Sequence, residues 1–155
     1  MKQKLKILAL DIALNCGWCY YDGSLTSGTW DLKEKRDESK GMRFIRFKSK
    51  LIEINKLGID LVVFEAARFL TRITGGAVVC QAELQGVVKS YCEENKIEFK
   101  GYSSKELKAQ AGSGKFTKKQ MIEAAVKKFG KDVADDNEAD ALWCLDKALE
   151  DFNVG

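Results

Sequence analysis

The sequence predicts an α/β fold in which a mixed five-stranded sheet is covered by helices on both faces. Three observations lead to this prediction: strand-like runs open the chain, a second buried strand comes later, and amphipathic segments alternate with the later strands. Three antiparallel strands followed by alternating helices and strands are typical of such a sheet, and the last two strands are expected to be parallel. A single domain over residues 1–155 is expected, because a chain of this length can bury one sizeable core.

The first three strands are predicted as an antiparallel meander. Residues 5–12 (LKILALDI) form a short apolar run typical of a buried strand. Residues 17–22 and 25–32 are rich in Trp, Tyr and Thr, and Asp22-Gly23 joins them. This dipeptide favours a tight hairpin, since both residues tolerate a positive φ.

The rest of the chain is predicted to alternate between helices and strands. In the first helix, Phe44, Phe47, Leu51 and Ile54 recur at helical spacing, and Gly58 follows its end. In chain order the predicted elements are a helix over 38–57, a buried strand over 59–67, a helix over 76–95, a short strand over 97–102, a brief helix over 103–112, a flexible loop over 112–115 and two helices over 117–129 and 135–151.

The composition excludes several kinds of chemistry. The sequence contains no histidine, which rules out Ser-His-Asp and Cys-His catalysis and histidine-containing zinc sites. It contains no proline, so a thioredoxin-like site would lack its usual cis-proline neighbour. Any catalysis must therefore use carboxylates, lysines, hydroxyls or thiols.

Charge is distributed unevenly along the second half of the chain, although the net charge is only +3. Between Lys100 and Lys131 there are nine lysines and two acidic residues, whereas Asp132 to Asp151 holds eight acidic residues and one lysine. This order indicates a polyanion-binding surface beside a cation-binding site. Two ordinary solvated faces would explain the same pattern.

Two carboxylates end apolar strands, where burial makes a negative charge unfavourable. Asp11 follows the first strand and Glu65 follows the fourth. If these strands lie side by side, both carboxylates meet at the edge where open α/β sheets bind ligands. Such a pair needs a cation or a shared proton. Alternatively, each carboxylate caps a helix or pairs with Arg68 or Lys6.

The last helix offers further carboxylates. At helical spacing Asp136 lies within about 40° of Asp140, and both lie away from the apolar stripe of that helix. Asn137 lies within about 60° of Asp140 on the other side and could substitute for Asp136. Glu138 falls on the side of the stripe and is set aside as a ligand. Alternatively, Asp135 and Asp136 only oppose the helix macrodipole, which explains Asp135 better than Asp140.

Such a set of carboxylates matches the ligand preference of hard divalent cations, which bind oxygen. Two Mg²⁺ ions about 4 Å apart can activate a water and stabilise the leaving oxygen of a phosphodiester. This chemistry requires no histidine.

The motif Cys16-Gly17-Trp18-Cys19 looks like a redox Cys-x-x-Cys, but it is predicted to be structural. A redox pair needs a helix N-terminus to lower the pKa of its first thiol, whereas Cys19 continues into a hairpin. On a strand, positions three apart point to opposite faces, which does not suit a disulfide or a shared metal. We expect both cysteines to be buried as small apolar residues.

The order of Asp11, Glu65 and a last helix with Asp-Asp-Asn-Glu-Ala-Asp-Ala-Leu resembles the RuvC-type Holliday junction resolvases, bacterial or phage members of the ribonuclease H-like superfamily. The resemblance covers nearly the whole chain. It includes QAELQGVVKSY, YSSKELK and GSGKFTKKQM, the last similar to the family segment Gly-x-Gly-x-x-x-Lys-x-Gln. It implies a single RuvC-like nuclease domain with the ribonuclease H-like fold.

The resemblance also implies roles for individual residues. Asp11, Glu65 and Asp140 correspond to metal-binding catalytic acids. The family's fourth ligand falls on Asn137, and we assign that role to Asp136 instead. The residues expected to contact DNA are Lys108 and Lys118 near the scissile phosphate, Lys115 and Lys119 on the backbone, and Arg68, Phe69 and Arg72 near the end of the fourth strand, where the family carries a stacking aromatic. The family's Asp-Pro-Gly opening is replaced by Asp11-Ile12-Ala13.

The function implied by the resemblance is Mg²⁺-dependent nicking of four-way DNA junctions by a homodimer, with Mn²⁺ as a substitute and two ions per site. Two alternatives remain open: a related nuclease acting on other branched DNA or on RNA–DNA hybrids, and a non-catalytic junction-binding protein. An actin-like phosphotransferase would need two such domains. We expect a cytoplasmic protein without a membrane partner, since no apolar stretch approaches the ~20 residues of a membrane span and the N-terminus does not resemble a signal peptide.

Overall fold

The computed structural model describes residues 4–67 and 76–152. The elements of the described residues are β1 (Ile7–Asp11), β2 (Asn15–Tyr21), β3 (Leu25–Asp31), α1 (Met42–Asn55), β4 (Leu61–Glu65), α2 (Gly76–Glu94), β5 (Glu98–Tyr102), α3 (Ser104–Ala111), α4 (Lys118–Phe129) and α5 (Asp136–Asp151).

The strands form one mixed sheet in the order β3-β2-β1-β4-β5. β1 is antiparallel to β2 and parallel to β4, and β4 is parallel to β5. The predicted meander and the predicted neighbourhood of the first and fourth strands are both confirmed. Because β1 and β4 run in the same direction, Asp11 and Glu65 end at the same edge of the sheet.

Alternating side chains of the central strand β1 enter two separate cores. Leu8 and Leu10 pack with α1 and α2 on one face of the sheet, whereas Ile7 and Ala9 pack with α3, α4 and α5 on the other. All four side chains are completely buried. A strand covered on both faces reads as a continuous apolar run, which explains why residues 7–10 show no polar alternation.

The two cysteines of the Cys-x-x-Cys motif lie in different cores. Cys16 belongs to the core of α1 and α2, and Cys19 belongs to the core on the opposite face of the sheet. Both thiols are free and buried, and burial raises the pKa of each well above its ordinary value. The prediction that both cysteines are buried among apolar residues is confirmed.

Helix boundaries follow the sequence closely, except at the start of α1. The helix expected from residue 38 begins at Met42, because Glu38 instead accepts a hydrogen bond from the backbone N–H of Lys35 and pairs with Arg46. Capping residues precede α4 and α5. Thr117 forms a capping box with Gln120 at the start of α4, and the side chain of Asp135 accepts the backbone N–H of Glu138 at the start of α5.

α5 is more deeply buried than its single apolar stripe predicts. Its residues 138, 139, 141–145 and 148 are all buried, since the helix lies against β1 and β2 on one side and against α3 and α4 on the other. Its N-terminal part therefore lies directly on the sheet, at the edge where β1 and β4 end. None of the helices in the described parts of the chain combines the length and the apolarity that crossing a membrane requires.

Candidate metal centre

Three carboxylates converge at the edge of the sheet where β1 and β4 end. Asp11 comes from the end of β1, Glu65 from the end of β4, and Asp140 from the N-terminal part of α5. One oxygen atom from each lies within 4.8 Å of the others. The sheet register brings the first two together, and the packing of α5 adds the third.

Gly17 makes this approach of α5 possible. It pairs with Asp11 in the register of β1 and β2, so it lies beside the first carboxylate. A Cβ atom at this position would overlap the backbone carbonyl of Asn137. The glycine of the Cys-x-x-Cys motif therefore lets the helix lie on the strand.

Burial and mutual repulsion both disfavour the charged forms of the cluster. Asp11 is only 7% exposed, and its pKa is raised well above the usual value, first by burial and then by the charges of Asp140 and Glu65. The pKa of Asp140 is raised from 3.8 to about 7, first by burial and then by Glu65 and Asp136. A cation at this position would relieve both effects.

The donor set fits a hard divalent cation. It consists of carboxylate oxygens alone. Mg²⁺ and Mn²⁺ prefer such oxygen ligands, whereas softer metals prefer thiolates. The nearby thiol of Cys144 is completely buried, and burial raises its pKa well above the usual value, so it stays protonated. The cluster is therefore compatible with metal binding, as the strand-end carboxylates predicted.

Lys6, considered above as an alternative partner of Asp11 or Glu65, does not pair with either carboxylate. The ammonium of Lys6 donates to the carbonyl of Leu57 at 3.0 Å, at the opposite end of β1. Neither Asp11 nor Glu65 caps one of the helices whose N-caps are described, since those caps are Gly41, Ser103, Thr117 and Asp135.

Asp136 lies close to the cluster without belonging to the group of three. Its carboxylate is 3.5 Å from the ammonium of Lys118, and its charge raises the pKa of both Asp11 and Asp140. Asn137 contacts Gly17 through its backbone and lines a neighbouring cavity. The assignment of Asp136 as the fourth ligand stays a prediction.

Two of the predicted lysines face the cluster. Lys108 and Lys118 line a cavity of about 320 Å³ together with Glu65 and Asp140. Their positive charges lower the pKa of Asp140 against the larger effect of burial. Because the side chain of Lys118 is 86% exposed, it remains accessible to a ligand.

The other predicted contact residues lie further out or outside the described part. Lys115 is exposed in the loop before α4, and Lys119 is exposed and forms an ion pair of 3.9 Å with Glu123. The three remaining predicted positions, Arg68, Phe69 and Arg72, fall outside the described residues.

Glu138 has a role that the helical pattern did not reveal. It is buried, and its carboxylate accepts hydrogen bonds from Ser27 Oγ at 2.6 Å, Lys131 Nζ at 3.1 Å and the backbone N–H of Ala134 at 2.9 Å. Burial raises the pKa of Glu138, but these bonds outweigh it and the net shift is downward. The residue ties the start of α5 to β3.

The neighbouring Asp135 makes a second connection to β3. Its carboxylate caps α5 and accepts a hydrogen bond from the hydroxyl of Thr29 at 3.0 Å. The sequence shows only that both side chains are polar. Their pairing across more than a hundred positions carried no local signal.

Several solved structures are similar to this fold. RuvC from Thermus thermophilus superposes with a TM-score of 0.71 at 19% identity, covering 96% of this chain and 97% of that chain. T. thermophilus RuvC in complex with a Holliday junction substrate superposes with a TM-score of 0.76 at 18% identity, covering 95% and 94%. The chain has the RuvC fold.

A third structure shares the fold more distantly. The yeast mitochondrial Holliday junction resolvase Ydc2 superposes with a TM-score of 0.55 at 14% identity, covering 98% of this chain and 84% of that chain. No protein-family model and no curated protein matches the sequence. The predicted fold class is confirmed, and the strand order and the mixture of parallel and antiparallel pairs match the RuvC fold.

Proposed function

We propose that this protein is a divalent-metal-dependent endodeoxyribonuclease that nicks four-way DNA junctions. The observation that carries the proposal is the cluster of buried Asp11 with half-buried Glu65 and Asp140, at a sheet edge of the RuvC fold and faced by two lysines. The similar structure with a Holliday junction substrate supports four-way DNA as the substrate. Residues 1–155 would act as one nuclease domain on cytoplasmic DNA.

The carboxylates would hold Mg²⁺, or Mn²⁺ in its place, with Asp136 as a fourth ligand and two ions per site. When bound, such ions supply an activated water and stabilise the leaving oxygen of a phosphodiester. The fold itself holds buried Asp11 and half-buried Asp140 close together. Lys108 and Lys118 offset the charge of the incoming phosphate.

Basic residues around the site would hold the DNA. Phosphate contacts position a duplex without reading its sequence, and they make binding depend on salt. We assign this role to the exposed Lys115 and Lys119 on the α4 side. The same proposal covers Arg68, Phe69 and Arg72, with Phe69 as the candidate for disturbing base stacking.

A homodimer would place two such sites on opposed strands of one junction. A groove of about 540 Å³ between α1 and α2 supports this part of the proposal, since Ile45 at its edge is 58% exposed. Lys48 and Glu83 also line the groove. Glu94 lines it as well, so a two-fold contact can pair Lys48 of each copy with an acidic residue of the other.

Sedimentation equilibrium tests the dimer. We expect Ile45→Glu to convert a dimer into a monomer, whereas Val126→Glu, which changes a 38% exposed residue of α4, leaves the dimer intact. A wild-type protein that is monomeric at micromolar concentration would refute the dimer.

Cleavage of an immobile four-way junction tests the function. We expect paired, symmetric nicks with Mg²⁺ or Mn²⁺ and none in EDTA. Asp11→Asn should abolish nicking and keep binding, because the substitution removes a ligand and leaves the lysines in place. Absence of paired nicks from the wild-type protein would refute the resolvase proposal.

Assays of other substrates under the same conditions distinguish the two alternatives, a broader nuclease and a non-catalytic binding protein. Equal cutting of three-way junctions or RNA–DNA hybrids would indicate a broader nuclease of the same fold. Tight junction binding without cutting in any metal, unchanged in Asp11→Asn, would indicate a non-catalytic binding protein.

A further inference from the structure

A second cavity adjoins the carboxylate cluster, on the face of the sheet that α1 and α2 cover. Its volume is about 530 Å³. It is lined by residues 13–15, by Lys40 before α1 and Arg43 in its first turn, by the start of α2 and by Asn137. Residues 13–15 closely follow Asp11, and Asn137 directly follows Asp136. The cavity of Lys108 and Lys118 lies on the α3 and α4 side, and the two cavities share no lining residue.

The side chains of this cavity are cationic or neutral. Lys40 and Arg43 supply positive charge, and Asn15 and Asn137 supply amide groups that can donate hydrogen bonds. Among the described residues, no aspartate or glutamate lines it. In this respect it differs from the cavity of Lys108, which contains Glu65 and Asp140.

Arg43 is held in a defined position at this cavity. Its Nη2 donates to both carboxylate oxygens of Glu34, at 2.9 and 3.0 Å, and its Nη1 donates to the sulfur of Cys80 at 3.2 Å. The side chain is only 13% exposed. Glu34 offsets part of the charge of Arg43 and does not itself line the cavity.

The start of α2 adds to the positive potential. Gly76 and Ala77 line the cavity, and the first turn of this 19-residue helix contains no acidic side chain. The N-terminal end of a helix macrodipole favours anions. Together with Lys40 and Arg43, it makes an anion the ligand that fits this cavity.

We infer that the cavity binds a backbone phosphate of the strand that is cut, next to the scissile phosphate. The inference rests on the proposed function, because a nucleic-acid strand places further phosphates beside the one at the carboxylates. Those carboxylates repel a polyanion, so positive charge on both sides is needed to hold the strand across them. Lys40 donates to the phosphate oxygens, and Arg43 adds charge.

Binding measurements on three charge variants test the inference. The probe is a labelled immobile four-way junction in EDTA, titrated over a range of salt concentrations. Lys40→Gln should weaken binding and lower the slope of log K against log [salt] by about 1, the value for one phosphate contact. Lys56→Gln is the matched control, since Lys56 is exposed at the far end of α1.

Glu34→Gln gives a result of the opposite sign. Removing this carboxylate leaves the charge of Arg43 uncompensated, so binding should tighten and the slope should steepen. A slope for Lys40→Gln equal to that of Lys56→Gln, or weaker binding by a folded Glu34→Gln protein, would overturn the inference.

A modified substrate locates the contact. A neutral methylphosphonate next to the cleaved position should weaken binding of the wild-type protein and have little effect on Lys40→Gln. Equal losses for both proteins would overturn the inference. If the wild-type protein nicks junctions but Lys40→Gln behaves like Lys56→Gln, only this inference fails. If the wild-type protein binds no junction, the proposed function fails with it.

Discussion

Gly17 of β2 lies directly against the backbone carbonyl of Asn137 at the start of α5, with no room for a side chain between them. Gly17 is also the partner of Asp11 in the sheet register, and Asn137 lies one turn before Asp140. One close contact between backbones therefore sets the separation of two carboxylates of the candidate metal centre.

Gly17→Ala should be strongly destabilising, because the new methyl group forces α5 away from the sheet. We expect a loss of about 3 kcal/mol in the free energy of unfolding, within the range seen for overpacked sites. Urea denaturation followed by circular dichroism measures it. Gly114→Ala is the control, since a Cβ there meets open space. A Gly17→Ala protein as stable as this control would contradict the role assigned to the contact.

The stability of the metal-free protein should fall as the pH rises, because the pKa of Asp140 is higher in the folded state. This pKa is about 7 in the folded protein against an ordinary 3.8. Below pH 3.8 the carboxyl is protonated in both states. Between 3.8 and about 7 the unfolded chain releases the proton first, so folding stability is lost, and the loss is complete above 7.

Asp140→Asn should remove most of this pH dependence. At pH 7.5 in EDTA we expect the variant to be more stable than the wild-type protein by about 1–2 kcal/mol, since one of the mutually repelling charges is gone. Thermal unfolding between pH 4 and 8 measures the difference. Identical pH profiles for the two proteins would show that Asp140 is not desolvated as described.

Lys108→Gln and Lys118→Gln should each slow nicking by about 10-fold or more, because each removes a positive charge beside the carboxylates, where the proposed function places the scissile phosphate. Each should also lower the slope of log K against log [salt] for junction binding by about 1, the value for one phosphate contact. Single-turnover cleavage and fluorescence anisotropy provide the two measurements. Lys89→Gln, at an exposed position of α2, should leave both unchanged. Equal rates for all three variants would contradict the assignment.

Glu138→Gln should destabilise the protein by about 2–3 kcal/mol, because it leaves the partly buried ammonium of Lys131 without its carboxylate. The lowered pKa of Glu138 has the opposite consequence from that of Asp140: its contribution is present above pH 4.5 and is lost as the pH falls below it. The effect of the substitution should therefore shrink in acid. Urea denaturation at pH 7 and at pH 3.5 tests this, and an effect of equal size at both values would contradict it.

Replacing Cys16 and Cys19 together by alanine should preserve nicking. Both side chains are buried in the apolar cores, and neither belongs to the group of three carboxylates. We expect a loss of about 1–2 kcal/mol in stability and no response of activity to reductant. Cleavage assays with and without dithiothreitol test both points. A folded double variant without activity would show that the motif has a chemical role.

Much of the fold could be predicted because the responsible signals are local. Two adjacent residues, Asp22 and Gly23, predict the hairpin. The N-cap residues Thr117 and Asp135 directly precede α4 and α5. The buried strand β1 shows as an apolar run. The start of α1 was predicted too early, since Glu38 accepts the backbone N–H of Lys35 and pairs with Arg46, and apolar periodicity does not reveal such polar pairings.

The sequence by itself determined the sheet with its helices, the candidate ligands Asp11, Glu65 and Asp140, and the exclusion of histidine chemistry. These follow from periodicity, from strand ends and from composition. Only the tertiary structure decided that Gly17 admits α5, that Glu138 anchors it and that Asp136 faces Lys118. Such relationships depend on distances between elements far apart in the chain, and helical or strand periodicity constrains directions within one element only.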